Sequence, residues 1–107
     1  MITEQFLNSL KRKLSDEKIR TNPNELELYA TDGFQLHRAI PGCVVLPETT
    51  EEIAWIVKQC NTYKIQFVPR GAGTGLSGGA VISDGLIIQL SRLNKILEID
   101  IPNKCAI

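Results

Sequence analysis

Eleven residues, Pro69-Arg70-Gly71-Ala72-Gly73-Thr74-Gly75-Leu76-Ser77-Gly78-Gly79, hold five of the chain's 8 glycines. Glycine loses the most backbone freedom on ordering, so a regular helix or strand cannot run through such a stretch cheaply. It must be a loop. The loop sits between two apolar β-type runs, Gln66–Val68 before it and Gly85–Leu90 after it. A flexible linker carries similar residues but is not held between tight strands. Backbone N–H groups in a glycine-rich turn can converge on an anion such as pyrophosphate. Glycine supplies the positive φ values needed and lets the backbone approach a ligand with no Cβ in the way. Thr74 and Ser77 add hydroxyl donors. Arg70 either adds charge or braces the loop.

Three familiar phosphate loops do not fit. Gly73-Thr74-Gly75-Leu76-Ser77-Gly78 matches the spacing GxGxxG, but a dinucleotide unit of that type needs a helix to begin there. Here Gly79–Gly85 leads into a strand. A Walker A loop needs Gly-Lys-Ser/Thr, and Gly78 is followed by Gly79 and Ala80. A kinase loop needs Val where Ala80 stands.

Elsewhere the chain alternates short elements. Ile2, Phe6, Leu7, Leu10 and Leu14 recur at helical spacing. Thr21–Asn24 reads as a turn around Pro23, and Glu25–Ala30 as a short helix capped by Asn24. Thr31-Asp32-Gly33 breaks the chain, with Asp32 as a turn residue. Val44–Leu46 reads as a buried strand closed by Pro47. Thr49 and Glu52 form a capping box ahead of a helix over Thr50–Tyr63, whose apolar face is Ile53, Ile56, Val57 and Cys60. Trp55 lies beside that face and is expected to pack. Strands follow at Leu97–Ile101 and, after a Pro102-Asn103 turn, from Lys104 to Ile107. The sequence reaches Ile107 in mid-strand, which suggests a fragment.

Composition excludes several classes. Lys+Arg and Asp+Glu both count 12, so no basic excess points to nucleic acid. The longest apolar runs, Cys43–Leu46 and Leu86–Ile88, fall far short of the roughly 20 residues of a membrane helix. The N-terminus lacks the order of a secretory signal. Cys43, Cys60 and Cys105 are scattered, so neither a disulfide framework nor a zinc site is expected. Reduced thiols fit a cytoplasmic protein. His37, the one histidine, has no carboxylate or cysteine close by in sequence and reads as solvated. Lys11-Arg12-Lys13 is a charged helix end.

The order VVLPETTEEI, helix, QFVPRGAGTGLSGGA, GLIIQLSRLNKILEID resembles the start of the FAD-binding domain of the vanillyl-alcohol-oxidase/p-cresol-methylhydroxylase (PCMH-type) flavoproteins. Within that family it is most similar to the glycolate oxidase D subunit and FAD-linked D-lactate dehydrogenases, and Tyr29-Ala30-Thr31-Asp32-Gly33 also resembles that branch. The resemblance covers about Tyr29–Ile107. It implies an α+β fold, the incomplete first subdomain of an FAD-binding domain, with residues 1–28 as a helical lead and 29–107 as the FAD-binding part. It implies that Arg70, Gly71, Ala72, Gly73, Thr74 and Gly75 wrap the FAD pyrophosphate, that Ser77, Gly78 and Gly79 continue the wrap, and that Pro47 lies beside the adenosine. Some members attach flavin through a histidine in this loop; Thr74 stands there, so FAD is expected to be held non-covalently. The implied activity is oxidation of a D-2-hydroxy acid such as glycolate or D-lactate, with the catalytic residues outside this stretch and the 107 residues alone inactive. The partners would be FAD and the remainder of the enzyme or its other subunits, in the cytoplasm or peripheral to the inner membrane. A different class remains open: a non-catalytic remnant, or a module that docks to a partner chain.

Overall fold

The chain folds, in a computed structural model that describes Met1–Ile107, around a four-stranded sheet. The first helix, α1 (Glu4–Lys11), is capped by Thr3, whose hydroxyl accepts from the Phe6 amide, with Glu4 and Lys11 placed as the helix dipole favours. It ends before Leu14, which is nonetheless buried in the core. The two-residue strand β1 (Ile19–Arg20) follows; it is too short to leave a periodic signal in the sequence.

The next helix, α2 (Pro23–Leu26), is capped by Asn22 rather than by Asn24. Pro23 explains the shift. Its fixed φ and missing N–H suit the first helical position, so the cap moves one residue ahead of it. A 3-10 turn carries the chain on through Glu27–Tyr29.

Strand β2 (Cys43–Val45) leads to α3 (Thr50–Tyr63), which returns the chain to β3 (Phe67–Arg70); β4 (Leu86–Gln89) follows the glycine loop. The sheet order is β1-β2-β4-β3. Strands β2 and β3 both lie parallel to β4, and β1 is antiparallel to β2. The expected strand Gln66–Val68 therefore extends to Arg70, through Pro69. Proline is tolerated there because β3 is an edge strand, where a missing N–H leaves no ladder bond unmade.

Strands β2 and β4 are buried on both faces, which is why each reads as a continuous apolar run. Cys43, Val45, Leu86 and Ile88 join Phe6, Leu10, Leu14, Ile56 and Cys60 on one face. Val44 and Ile87 meet Leu26, Tyr29, Val68 and Ile82 on the other. The N-terminal segment thus shares a core with the rest.

Thr49 caps α3 by accepting from the Glu52 amide at 3.1 Å. The reciprocal half of the box is displaced: Glu52 accepts from the Glu48 amide at 2.7 Å and from Lys18 Nζ at 2.6 Å. Arg92, after β4, pairs with Glu17 at 2.9 Å and Glu48 at 3.2 Å. These ion pairs fasten the segments at one edge of the sheet. The chain closes with an antiparallel hairpin of β5 (Ile99–Asp100) and β6 (Cys105–Ala106), so the final strand does have a partner. No helix is long and apolar enough to cross a membrane.

Candidate functional site

Because β2, β3 and β4 are parallel, the segments leaving their C-terminal ends emerge at the same edge. These are Leu46–Pro47, Gly71–Gly79 and Leu90–Leu93. Side chains alternate across a strand, so Arg70 shares a face with Val68, and Gln89 with Ile87. Arg70 and Gln89 are register partners. A cleft of about 420 Å³ opens beside them, lined by Tyr29, Arg70, Gly71, Ala72 and Gln89 together with Leu28, Leu90, Ser91 and Leu93.

Arg70 is only 9% exposed. Its Nη1 donates to the carbonyl oxygens of Thr31 at 2.9 Å and Ala80 at 3.1 Å, and its guanidinium lies 5.6 Å from the centre of the Tyr29 ring. It thus braces both ends of the glycine loop. No carboxylate lies within salt-bridge distance of it. A charge taken out of water is ordinarily paired; this one is met only by carbonyl dipoles and a ring face. Gln89, 8% exposed, donates from Nε2 to the Gly71 carbonyl at 2.8 Å, while its Oε1 is buried without a partner.

The glycines divide into two groups. Gly73 and Gly78 have φ of +70° and +74°, where a side chain is strained. A Cβ on Gly73 would also strike the Arg70 guanidinium. Gly71, Gly75 and Gly79 have no positive φ, and a Cβ on any of them would meet nothing within 4 Å. The fold does not require glycine at those three positions. The space they leave open lies on the loop's free surface.

From Gly71 to Gly79, Gly78 alone has a protein acceptor for its backbone N–H, the Asp32 carboxylate at 3.0 Å. The loop is otherwise an array of unused donors. Asp32 is the turn residue expected, accepting from the Phe34 amide at 2.8 Å, but it also reaches across 46 residues to the loop. Gly33 backs the same loop: a Cβ there would lie 2.5 Å from the Thr74 carbonyl oxygen.

Of the expected cofactor contacts, Arg70, Gly71 and Ala72 line the cleft, and Gly73, Thr74, Gly75, Ser77, Gly78 and Gly79 continue the loop beyond its lining. Pro47 is fully buried at the same sheet edge and does not line the cleft. Tyr29, Asp32 and Gln89 were not foreseen as site residues. Asp32 reads from sequence as a turn residue only, and Tyr29 enters only through the resemblance of Tyr29–Gly33 to one branch of the family. His37 is exposed and lies beside Phe34, 5.4 Å between ring centres with the rings tilted by 52°. Trp55 packs under Lys13, 5.4 Å from its ring centre.

Known proteins resemble this chain in sequence and in fold. The chain is 36% identical over 98 residues to D-2-hydroxyglutarate dehydrogenase of Xanthomonas citri pv. viticola, covering 91% of the chain and 21% of that relative. It is 32% identical over 107 residues to glycolate oxidase subunit GlcD of Bacillus subtilis, covering 99% and 23%. The chain therefore spans about a fifth of the length of these curated relatives. Among solved structures, p-cresol methylhydroxylase with bound substrate superposes with a TM-score of 0.76 at 26% identity, over 92% of the chain and 21% of that protein. An alkyldihydroxyacetonephosphate synthase, at 19% identity and TM-score 0.85 over 99% of the chain and 22% of that protein, shares the fold. The α+β architecture is thus that of a PCMH-type flavoprotein domain. Residues 41–107, which contain the whole glycine loop, match the FAD binding domain family, and the chain belongs to it.

Proposed function

We propose that Gly71–Gly79 hold the pyrophosphate of FAD, non-covalently, in a dehydrogenase or oxidase acting on a D-2-hydroxy acid of the glycolate or D-lactate type. The observation that carries this reading is the pairing of unused loop amides with a nearly buried, carboxylate-free Arg70 behind them. Both ask for an anion. The open Cβ positions at Gly71, Gly75 and Gly79 leave room for its oxygens.

In this reading the amides of Gly71, Ala72, Gly73, Thr74, Gly75, Ser77 and Gly79 donate to phosphate oxygens, and the Thr74 and Ser77 hydroxyls supplement them. Arg70 supplies the counter-charge from behind while keeping the loop's ends together. Pro47 shapes the wall beside the adenosine. Bound FAD supplies the two-electron acceptor for oxidation of the hydroxy acid. The cleft is lined by no carboxylate or histidine, and the Asp32 carboxylate beside the loop is buried with both oxygens taken by amides, so neither supplies a base for substrate. The residues that act on substrate belong to the remainder of the enzyme or to its other subunits. The exposed Ile96, Leu97, Ile99, Ile101 and Ile107 around the β5–β6 hairpin form a surface suited to packing against them. Residues 29–107 carry the site, residues 1–28 complete its core, and the protein works in the cytoplasm or against the inner membrane through other subunits.

Titrating FAD into the chain while following flavin fluorescence tests the reading. Weak but saturable binding that ADP competes away is expected, because the open cleft leaves most of the dinucleotide in water. No turnover of glycolate or D-lactate with an artificial acceptor is expected from these 107 residues. A titration with no saturable change, or one indifferent to ADP, would remove the pyrophosphate assignment.

A further inference from the structure

Gly78 is the one residue of the glycine loop whose N–H is spent on another side chain, that of Asp32, and like Gly73 it has a φ, here +74°, that side chains avoid. Asp32 is 6% exposed, and its two oxygens accept from two amides, Phe34 at 2.8 Å and Gly78 at 3.0 Å. One bond closes a local turn. The other joins that turn to a loop more than forty residues on.

We propose that Asp32 is a positioning residue for the FAD site: it withdraws the Gly78 amide from the ligand, locks the loop's second bend, and so sets where the donor array is interrupted. This deepens the FAD reading above and rests on it. It also divides the loop's glycines by role, with Gly78 serving the bend and its neighbours serving the anion. The geometry calls for a carboxylate. The two amides address different oxygens, Phe34 on Oδ1 and Gly78 on Oδ2, and a carboxamide in the same place would turn an NH2 donor toward one of them. Gly33 completes the contact, since the closeness of its Cα to the Thr74 carbonyl leaves no room for a side chain.

Amide hydrogen exchange on the ¹⁵N-labelled chain tests the proposal. Without FAD, Gly78 should exchange at least about tenfold more slowly than Gly75 and Gly79, the factor expected of a hydrogen bond to a charged group. Asp32→Asn, which keeps shape but loses one acceptor, should abolish that protection or the protection of Phe34. Exchange at Ile87 and Ile88 in β4 should stay unchanged, which shows that the fold survives. FAD in excess should slow Gly71, Gly73, Gly75 and Gly79 and leave Gly78 nearly as it was; in Asp32→Asn the FAD concentration needed should rise about tenfold. Gly78 exchanging as fast as Gly75 in the unsubstituted chain would overturn the proposal, as would protection of Gly78 that appears only with FAD. Asp32-dependent protection of Gly78 together with loop amides indifferent to FAD would uphold the clamp and refute the FAD reading.

Discussion

Two substitutions in one loop should separate the fold from the ligand. A Cβ added at Gly75 meets nothing within 4 Å, and Gly75 has no positive φ. Gly75→Ala should therefore leave stability unchanged or raise it by about 0.4–1 kcal/mol, because alanine narrows the unfolded ensemble. Gly73→Ala meets two penalties. Its φ of +70° costs a side chain roughly 1–2 kcal/mol. Its Cβ would also displace the Arg70 guanidinium from Thr31 and Ala80, and a hydrogen bond from a charged group is worth about 1.5–3 kcal/mol. A total near 3 kcal/mol lowers the melting temperature by more than about 10 °C in a domain of this size. Circular dichroism melts and FAD titrations on the same samples give both readouts. The expected pattern is Gly75→Ala with an intact melt and FAD affinity reduced at least about tenfold, a 1.4 kcal/mol loss, and Gly73→Ala with both damaged. Unaltered FAD affinity in Gly75→Ala would show that the open space is not ligand space. An unaltered melt in Gly73→Ala would show that the bend and Arg70 do not depend on each other.

Burial pushes the Cys43 thiol up to about 12 and the Cys60 thiol up to about 11, while Cys105 is exposed; at mildly alkaline pH one thiol per chain should react quickly with an aromatic disulfide, and two or three fast thiols would contradict the packing. Burial alone would raise the Glu52 carboxyl, but its bonds to Lys18 and to the Glu48 and Thr49 amides outweigh that and hold it below the ordinary 4.5. Its stabilisation is therefore full above about pH 4.5 and fades as pH falls through the lowered value, so Glu52→Gln should flatten the acid limb of a stability–pH curve; an unchanged limb would contradict this. Lys18 is raised above 10.5 by the Glu52 carboxylate, so its share is present below that pH and lost as pH rises through the higher value. Acid precipitation of the FAD-loaded protein should leave the flavin in the supernatant, since Thr74 offers no ring nitrogen for attachment; flavin retained on a peptide spanning Arg70–Gly79 would refute it.

The glycine loop, α3 and the two core strands were legible because their signals are local. Pro69–Gly79 shows its density of glycine in eleven residues, Thr49 its cap, and the β2 and β4 runs their two-sided burial. What was not legible depends on residues distant in sequence. Strand β1 exists because Ile19 finds Val45, and two residues carry no period. Asn22 displaced Asn24 because Pro23 claims the first helical position. Arg70 read equally well as a charge for the ligand or a brace for the loop; the geometry makes it a brace whose charge has no carboxylate. Asp32 read as a turn residue, and it is one. Its second oxygen acts on Gly78, and no spacing rule connects positions so far apart.

The contacts behind the loop explain how its donors come to be unused. In a trans peptide the carbonyl of one residue and the N–H of the next point in opposite directions. Gln89 holds the Gly71 carbonyl, which turns the Ala72 N–H away from the sheet. The Thr74 carbonyl lies against Gly33, which turns the Gly75 N–H away from the Tyr29–Gly33 segment. Arg70 takes the Ala80 carbonyl where the loop rejoins the fold. These contacts fall on carbonyl oxygens, and only the Asp32 contact takes a loop N–H. A loop fixed through its carbonyls presents its amides, and a loop that presents amides is a site for an anion before any anion arrives. In the proposed site, Arg70 and Gln89 would thus serve the ligand through the peptide groups they orient. Replacing Gln89 with Leu would keep most of the packing and release the Gly71 carbonyl, so the Ala72 amide would lose its fixed direction while the sheet stayed intact.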